Sequence, residues 1–306
     1  MLLSAIISLF IIPTLYNVQL NFNGFLNLNN LSNFQSPEAL SKLEDTAPEK
    51  LFTDYLDIKI TAKSAIAVAS NSGKILYQKN ENDILPIASI TKLMTALVFL
   101  DNNPGWQKEF YTIPSDRRNG GIIYLNTGEI LTIKDLFYTA LIVSDNDAAM
   151  ALSRASGLAE QEFINQMNVK ARTLGLTNTY FADPTGLKIE NNSNVKDLVK
   201  LLNFVLANEE IKAATSTSYY EFKVRGSNKT RTVKLKNTDW LLKSYLNVIG
   251  GKTGSLEQAG YCLAVKINGE NNQDIIIVVL GSQSNNDRFQ DVKAISDWVF
   301  SNYKWK

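Results

Sequence analysis

The chain has 306 residues, 45% of them apolar, so it can bury a sizeable core as one domain or as two subdomains. Lys and Arg total 31 against 30 for Asp and Glu, a balance that argues against a nucleic acid as a partner. Histidine is absent from the sequence and Cys262 is its one cysteine. This excludes a Ser-His-Asp triad, a histidine-based zinc site and an intrachain disulfide. A hydrolase of this composition needs Lys, Asp, Glu or Tyr as its base.

The N-terminus opens with a mostly apolar run from Leu2 to Tyr16. The run is shorter than the roughly 20 residues of a membrane span, but it suits the core of a signal peptide. An Asn-rich stretch from 17 to 33 follows it and resembles a tether. We therefore expect a signal peptide or membrane anchor over residues 1–20 and a linker over 21–45. A buried helix of the folded domain is the alternative interpretation.

The folded domain begins near residue 46, and regular patterns begin near Thr61. Two β-prone runs joined by Asn71-Ser72-Gly73 predict a hairpin, and apolar residues at helical spacing after Pro86 predict a buried helix that starts near Ala88. The other predicted elements are helices at 133–143, 148–152, 163–174, 195–206 and 287–303, and strands at 219–225, 231–235, 259–267 and 274–280. This order predicts an α/β fold in which an antiparallel sheet (about 55–85 and 216–306) is flanked by helices and joined to an all-helical lobe (about 101–215).

Three short motifs stand in order along the chain: an S-x-x-K at Ser89-Ile90-Thr91-Lys92, an S-x-N at Ser144-Asp145-Asn146 and a K-T-G at Lys252-Thr253-Gly254. Such a set occurs in class A β-lactamases and penicillin-binding proteins. S-x-x-K recurs at Ser193 and Ser301, and S-x-N recurs at Ser284. Context selects Ser89, since it alone opens a strongly apolar helix and precedes both other motifs.

The spacing of Ser89 and Lys92 predicts a nucleophile and its general base. Residues three apart on a helix share a face, so the amine can reach the hydroxyl. A serine at a helix N-terminus also gains backbone N–H groups and a dipole that favour a developing oxyanion. The pKa of Lys92 must fall from about 10.4 for this role. Burial would lower it, and so would a second cation such as Lys252.

The S-x-N motif follows one apolar helix and precedes the next, which predicts a tight interhelical turn. We expect Ser144 to relay a proton to the leaving amine and Asn146 to hold the backbone of the substrate. Plain turn chemistry is the alternative, because Ser, Asp and Asn are common turn residues.

The K-T-G motif lies in the glycine-rich run 250–254, which resembles a P-loop but has Leu246 where that motif needs glycine. Gly254 instead allows a strand to lie close to the Ser89 helix. We expect Lys252, in an electrostatic role, and Thr253 to bind a substrate carboxylate. The N–H of Ser255 would complete an oxyanion hole with that of Ser89.

With these motifs, the sequence resembles the serine-type D-alanyl-D-alanine carboxypeptidases, the low-molecular-mass penicillin-binding proteins, over roughly residues 60–303. The similar segments are 65–76, 88–96, 144–149, 163–176, 181–187, 252–262 and 288–303. The resemblance implies the two-lobed serine penicillin-recognising (β-lactamase/transpeptidase-like) fold, with no cofactor and no metal. It implies an exported, periplasmic or extracytoplasmic enzyme of cell wall biogenesis and cell shape. Its substrate would be a peptidoglycan stem peptide ending in D-Ala-D-Ala, cleaved through a Ser89 acyl-enzyme, and β-lactam antibiotics would acylate the same serine.

Two residues depart from the family pattern. Leu256 stands where a hydroxyl residue is usual, two places after Gly254, and Asp145 is more like the β-lactamases. The chain ends at Lys306, so we expect no C-terminal extra domain and any membrane attachment at the N-terminus. Three alternatives stay open: a D,D-endopeptidase acting on cross-links, a class A-like β-lactamase (although its E-x-x-L-N signature is absent), and a non-catalytic peptidoglycan-binding module.

Overall fold

The computed structural model describes residues 47–51, 58–227, 229–270 and 273–305. All of them belong to one compact unit, Leu43–Lys306. The predicted signal peptide or anchor at 1–20 and the linker at 21–45 lie outside the described residues, so both stay predictions. Within the described ranges, the helices are too short or too polar to cross a membrane.

The secondary structure follows the predicted order closely. The strands are β1 Glu49–Lys50, β2 Ser64–Ala69, β3 Ile75–Lys79, β4 Leu85–Pro86, β5 Glu109–Tyr111, β6 Ile130–Thr132, β7 Asn192–Ser193, β8 Tyr219–Arg225, β9 Thr230–Lys236, β10 Asn247–Leu256, β11 Gly260–Asn268, β12 Ile275–Ser282 and β13 Tyr303–Lys304. The α-helices are α1 Lys92–Asp101, α2 Ile133–Ile142, α3 Asn146–Ala155, α4 Glu160–Thr173, α5 Val195–Val205, α6 Glu209–Ser216 and α7 Asp287–Asn302. Short 3-10 helices span Ala88–Thr91, Pro114–Asp116 and Trp240–Lys243.

The main sheet is antiparallel and has the strand order β10-β11-β12-β2-β3. The predicted hairpin forms its β2–β3 edge, and Gly73 in the turn has a φ of +70°, a conformation that glycine adopts without a Cβ clash. Strand β10 forms the other edge. The K-T-G motif lies on this strand, so the candidate site borders one edge of the sheet.

Alternate residues of the central strands face opposite sides of the sheet, as the period of two requires. On one side, Ala65, Ala67 and Ile277 pack against the apolar stripe of α7. On the other, Ile66 and Val278 belong to the core that the helices share. Helix α1 lies in that core with eight consecutive residues buried, Lys92 to Phe99, because a helix that is apolar all round must be covered on every side.

Strands β8 and β9 do not join the main sheet to which the sequence pattern assigned them. They form a second antiparallel sheet in the order β5-β6-β8-β9, and their inward residues, such as Phe222 and Val233, pack into the core of the helices. Periodicity identifies a strand but not its partner, which is set by the distant surface that its apolar face meets. The helical lobe therefore carries a small sheet in addition to its helices.

Candidate active site

Ser89 lies on the 3-10 turn Ala88–Thr91, which continues directly into α1. The residue before it, Ala88, has a φ of +46°, in the left-handed region that costs a residue with a Cβ about 1 kcal/mol or more. The loop at Gly186 presses on this turn, since a Cβ at Gly186 would overlap the carbonyl of Ala88. Backbone strain of this kind persists only where the surrounding structure imposes it, and it is common at functional sites.

The amine of Lys92 has three hydrogen-bond partners. It lies 2.8 Å from Ser89 Oγ, 2.7 Å from Asn146 Oδ1 and 2.7 Å from the carbonyl oxygen of Thr185. Only 1% of this lysine is exposed. The structure thus brings Ser89, Lys92 and Asn146 together as the sequence predicted, and adds a backbone carbonyl that no motif indicated.

Burial lowers the pKa of Lys92 to about 7, although the carboxylates of Asp145 and Asp183 act in the opposite direction. A buried ammonium loses its hydration, and this destabilises the charged form. An amine that titrates near neutrality is present in useful amounts in both protonation states, which is the requirement for a general base at physiological pH.

The S-x-N turn connects α2 to α3, as predicted. Ser144 has a φ of +62°, and its buried Oγ has no hydrogen-bond partner in the part of the chain that the structure describes. Asp145 caps α3 by accepting a bond from the N–H of Ala148 at 2.7 Å. A buried hydroxyl without a partner, held on a strained turn, has its hydrogen-bonding capacity unused, so it can form a hydrogen bond to a bound molecule.

The loop 181–187 is folded around the buried carboxylate of Asp183. This side chain accepts five hydrogen bonds, from the N–H groups of Thr185, Gly186 and Lys188, the hydroxyl of Thr185 and the side-chain amide of Asn191. Burial raises the pKa of Asp183, but the bonds from Thr185, Lys188 and Gly186 outweigh it and keep this pKa below its usual value. The loop thereby holds the Thr185 carbonyl against Lys92.

Strand β10 lies against the Ser89 turn at Gly254. A Cβ on Gly254 would stand 3.0 Å from the carbonyl oxygen of Ile87 and 3.1 Å from the nitrogen of Ser89, closer than side chains normally pack. The exposed Ser255 follows at once on the same strand. The structure therefore places Gly254 beside Ser89, with the close approach that the sequence predicted, and Ser255 is the next residue of the strand.

Lys252 is 1% exposed, and its amine donates to the carbonyl oxygen of Thr253 at 3.0 Å. Burial lowers its pKa well below the usual value, and the positive charges of Lys92 and Arg288 lower it further. The two motif lysines are thus electrostatic neighbours. The hydroxyl of Thr253 lies 2.6 Å from that of Thr238.

Three residues of the site were missed by sequence reasoning. Thr238 links the end of α2 to strand β10, because its N–H donates to the carbonyl of Ile142 at 3.1 Å while its hydroxyl contacts β10. Asp239 is buried, which raises its pKa to about 6. Arg288 donates to the carbonyl of Gly254 at 2.9 Å. The sequence signal of Thr238 and Asp239 is the polar run 237–239 before three apolar residues, which is also what an ordinary turn looks like. Arg288 lay in the segment 288–303, which was noted for its family resemblance alone.

The competing motif copies have other surroundings. Ser193 is fully buried on β7 and its hydroxyl lies 2.7 Å from that of Thr179. Ser193 lies directly before the N-cap of α5, which is Asn194 and accepts from the N–H of Asp197. Ser284 accepts from the N–H of Asp287 at the start of α7. No group of three metal-ligating side chains occurs among the described residues.

Comparison with known proteins agrees with this geometry. The family model of the D-alanyl-D-alanine carboxypeptidases matches residues 49–284. The chain belongs to this family. Among curated relatives, it is 36% identical over 249 residues to the Bacillus subtilis D-alanyl-D-alanine carboxypeptidase DacF, covering 79% of this chain and 63% of that protein. It is 32% identical over 246 residues to the D-alanyl-D-alanine endopeptidase of Escherichia coli, covering 79% and 78%.

Solved structures of the family share the fold. The Streptomyces K15 DD-transpeptidase superposes with a TM-score of 0.74 at 29% identity, covering 81% of this chain and all of that chain. Penicillin-binding protein D2 of Listeria monocytogenes, solved with cefotaxime bound, has a TM-score of 0.69 at 28% identity and covers 80% and 100%. The family, the two-lobed penicillin-recognising fold and the class of serine carboxypeptidase predicted from the sequence are confirmed.

Proposed function

We propose that this enzyme removes the terminal D-Ala from peptidoglycan stem peptides through an acyl-enzyme on Ser89. One observation carries the proposal: Lys92 bonds to two groups that can only accept, the Asn146 carbonyl oxygen and the Thr185 carbonyl, and to one that can donate, the Ser89 hydroxyl. A neutral amine has two N–H donors and one lone pair. The two acceptors take the donors, so the lone pair faces Ser89.

In the proposed acylation, Lys92 takes the hydroxyl proton as Ser89 Oγ attacks the carbonyl carbon of the penultimate D-Ala. The C–N bond to the terminal D-Ala then breaks, and the ammonium of Lys92 returns its proton to the leaving amine through Ser144. The unpartnered Oγ of Ser144 supports this relay. Neutral Lys92 can next deprotonate a water, which hydrolyses the ester and restores the serine.

The remaining motif residues take supporting roles in this proposal. The N–H groups of Ser89 and Ser255 stabilise the oxyanion of the tetrahedral intermediate. Lys252 supplies a positive potential for the substrate carboxylate and Thr253 a hydroxyl, while Gly254 allows the close approach that both need. Asn146 accepts from Lys92 through Oδ1 and donates to the carbonyl of Gly120 through Nδ2, and the second hydrogen of Nδ2 would hold the amide backbone of the substrate.

Cleavage of peptide cross-links is the second candidate. Its support is the 32% identity to a relative named D-alanyl-D-alanine endopeptidase, of which the chain covers 78%. The two activities share the acyl-enzyme and differ in the leaving amine, which is a free D-amino acid in one case and a cross-linked chain in the other.

The proposed place of action is outside the cytoplasmic membrane, where peptidoglycan lies. Support comes from the apolar run Leu2 to Tyr16 and the Asn-rich stretch after it. Fractionation of cells that produce the full chain, with and without residues 1–20, tests both export and retention at the membrane.

The first experiment is intact mass spectrometry of the protein after one hour with benzylpenicillin. We expect one covalent penicillin on the wild type, none on Ser89→Ala, and a normal adduct on Ser301→Ala, whose serine belongs to another S-x-x-K. Hydrolysed penicillin without a lasting adduct would favour a β-lactamase. A folded protein with neither adduct nor turnover would favour a non-catalytic binding module.

A second assay separates the two peptidase activities. Free D-Ala released from a pentapeptide and separated chains from a cross-linked dimer are measured with the same preparation. We expect a higher kcat/KM for the pentapeptide. A preference for the dimer would replace carboxypeptidase with endopeptidase as the main activity.

A further inference from the structure

Two large aromatic side chains stand exposed on the segment that leads into β10. Trp240 is 56% exposed and Tyr245 is 66% exposed. Single exposed aromatics are common on protein surfaces. These two differ from isolated cases because side chains of α7 hold both in place, and Trp240 follows closely after Thr238, which contacts the K-T-G strand.

The indole of Trp240 is fixed on one side only. It stacks on the buried ring of Phe289, with centroids 5.2 Å apart and planes at 19°, so its opposite face is open to solvent. The 3-10 helix Trp240–Lys243 that carries it is capped by Asp239 and anchored by the buried Leu241. A flat aromatic face that is already ordered loses little entropy when a ligand stacks on it.

Tyr245 stands one turn further along α7. Its hydroxyl donates to Asp297 at 2.8 Å, and the amine of Lys293 lies 5.7 Å from its ring. Because Phe289 and Lys293 are four residues apart, the two aromatics rest on successive turns of the helix, whose pitch is about 5.4 Å. They form a row along α7.

A surface groove of about 570 Å³ lies beside this row, with Tyr245 as one of its walls. Its size is within the roughly 300–1,000 Å³ of ordinary ligand clefts. Its other lining groups include Lys59, Gln290, Lys293 and Asp297. Ammonium, amide and carboxylate groups can bond hydroxyl and acetamido groups, whereas an apolar peptide would leave them unpaired.

Trp240 is connected to the K-T-G strand by two routes. Arg288, next to the Phe289 ring on which Trp240 stacks, donates to the carbonyl of Gly254 at 2.9 Å. Thr238 contacts Thr253 of the K-T-G motif at 2.6 Å, and Trp240 follows two residues later, at most about 7 Å of chain. A stem peptide of five residues spans up to roughly 17 Å when extended. A peptide whose C-terminus lies at Ser89 can therefore place its sugar-linked end beside Trp240.

We propose that Trp240 and Tyr245 form a binding site for the pyranose rings of the N-acetylated amino-sugar strand that carries the stem peptide. The C–H groups on one face of a pyranose pack against the electron-rich face of an aromatic ring, and the polar groove beside the rings takes the hydroxyl and acetamido groups. The proposal rests on the proposed function for the identity of the polymer, but sugar binding itself needs no catalysis.

The test is isothermal titration of the full chain with peptide-free glycan fragments of this strand. We expect binding to the wild type and a five- to tenfold weaker Kd for Trp240→Ala, the scale of one aromatic stacking contact. Tyr111→Ala is the matched control: Tyr111 is 57% exposed and stacks on Phe110 at 6.0 Å and 23°, and its loss should leave the Kd unchanged. Trp240→Phe, which keeps a ring on Phe289, and Tyr245→Ala give intermediate losses in a fold that circular dichroism verifies.

Absence of glycan binding to the wild type, or equal binding to all variants, overturns the proposal. A kinetic measurement then tests whether the sugar site contributes to turnover. In Trp240→Ala, kcat/KM for a disaccharide-linked pentapeptide should fall while kcat/KM for the free pentapeptide stays the same. An equal fall for both substrates would mean that Trp240 only supports the K-T-G strand. Glycan binding without a penicillin adduct would refute the proposed function and leave the sugar site standing.

Discussion

Ser89 lies between two walls of different construction. One wall is strand β10, held by its ladder to β11 and brought close by Gly254. The other consists of the turn Ser144–Asn146 and the loop 181–187, which are irregular and are held by buried polar side chains. The strand wall depends on backbone hydrogen bonds and on the absence of a side chain at Gly254. The loop wall depends on particular carboxylates and amides, so we expect it to respond more sharply to single substitutions in stability and in pH dependence.

The difference extends to the two buried lysines. Lys92, which faces the loop wall, has three oxygen partners and two carboxylates nearby. Lys252, on the strand wall, donates to one backbone carbonyl. The same residue type is thus held in two different environments, for which we propose two different roles: base for Lys92 and electrostatic binding of the substrate carboxylate for Lys252.

The largest effect is expected from Lys92→Met, which removes the base and keeps the volume. General-base catalysis contributes about 10²–10⁴-fold, so the second-order rate of acylation by benzylpenicillin should fall by about 10³. Stopped-flow or mass-spectrometric acylation kinetics measure this. Thermal unfolding is the control, and an acylation rate within tenfold of the wild type would show that another group accepts the proton.

Gly254→Ala tests the strand wall. The new Cβ would stand 3.0–3.2 Å from the Ser89 turn, and a displacement near 1 Å at reacting groups can cost about 10²-fold. We expect acylation to slow by about 10²-fold. Gly226→Ala is the matched control, because its nearest neighbour is the carbonyl oxygen of Lys229 at 3.4 Å, an ordinary contact. Unchanged kinetics in Gly254→Ala would mean that the turn can move aside.

Asp183→Asn tests the loop wall through stability. An amide nitrogen in place of Oδ2 is a donor that faces two other donors, the N–H of Lys188 and the side-chain amide of Asn191. A buried donor left without its acceptor costs about 1–3 kcal/mol, so we expect about 2 kcal/mol less free energy of unfolding in urea. Acylation should slow as well, because the Thr185 carbonyl loses its support. A variant as stable as the wild type would argue against Asp183 as the centre of the loop.

The smallest effect concerns pH. Acylation needs neutral Lys92, so its rate should rise with pH through about 7, the value to which burial lowers this pKa. Asp145 stabilises the ammonium, so Asp145→Asn, which keeps a helix cap, should lower the midpoint of the profile. Asp147→Asn is the control, since Asp147 forms an ion pair with Arg117 at 2.6 Å and is not among the groups that shift the pKa of Lys92. An unmoved midpoint in Asp145→Asn would place the titration elsewhere.

Most elements could be predicted because their signals are local. Strand β8 was predicted at 219–225 and occurs there, and helix α7 was predicted from 287 to 303 and ends at Asn302. The short strands β5 and β6 were missed inside a block that was expected to be helical. Three-residue strands show too little alternation to be recognised without their partners.

The residues of the site show the same difference between local signals, which the sequence reveals, and contacts that depend on the fold. Ser89 and Lys92 could be paired from sequence because a spacing of three on a helix brings side chains together whatever surrounds them. The Thr185 carbonyl could not be predicted, since every residue has a carbonyl and only the path of the loop selects one. Asp183 lay within a segment noted for its family resemblance, but its five-bond role depends on how the loop closes around it.

The amino-acid sequence by itself determined most of the helices and longer strands, the order of the motifs and the exclusion of histidine-based and cysteine-based chemistry, since these depend on residue types and short spacings. Only the tertiary structure decided the pairing of β8 and β9, the burial that makes Lys92 a weaker base than a free lysine, and the exposure of Trp240 beside the catalytic strand. Burial and exposure are properties of what packs against a residue, and those contacts join segments that lie tens to hundreds of residues apart in the chain.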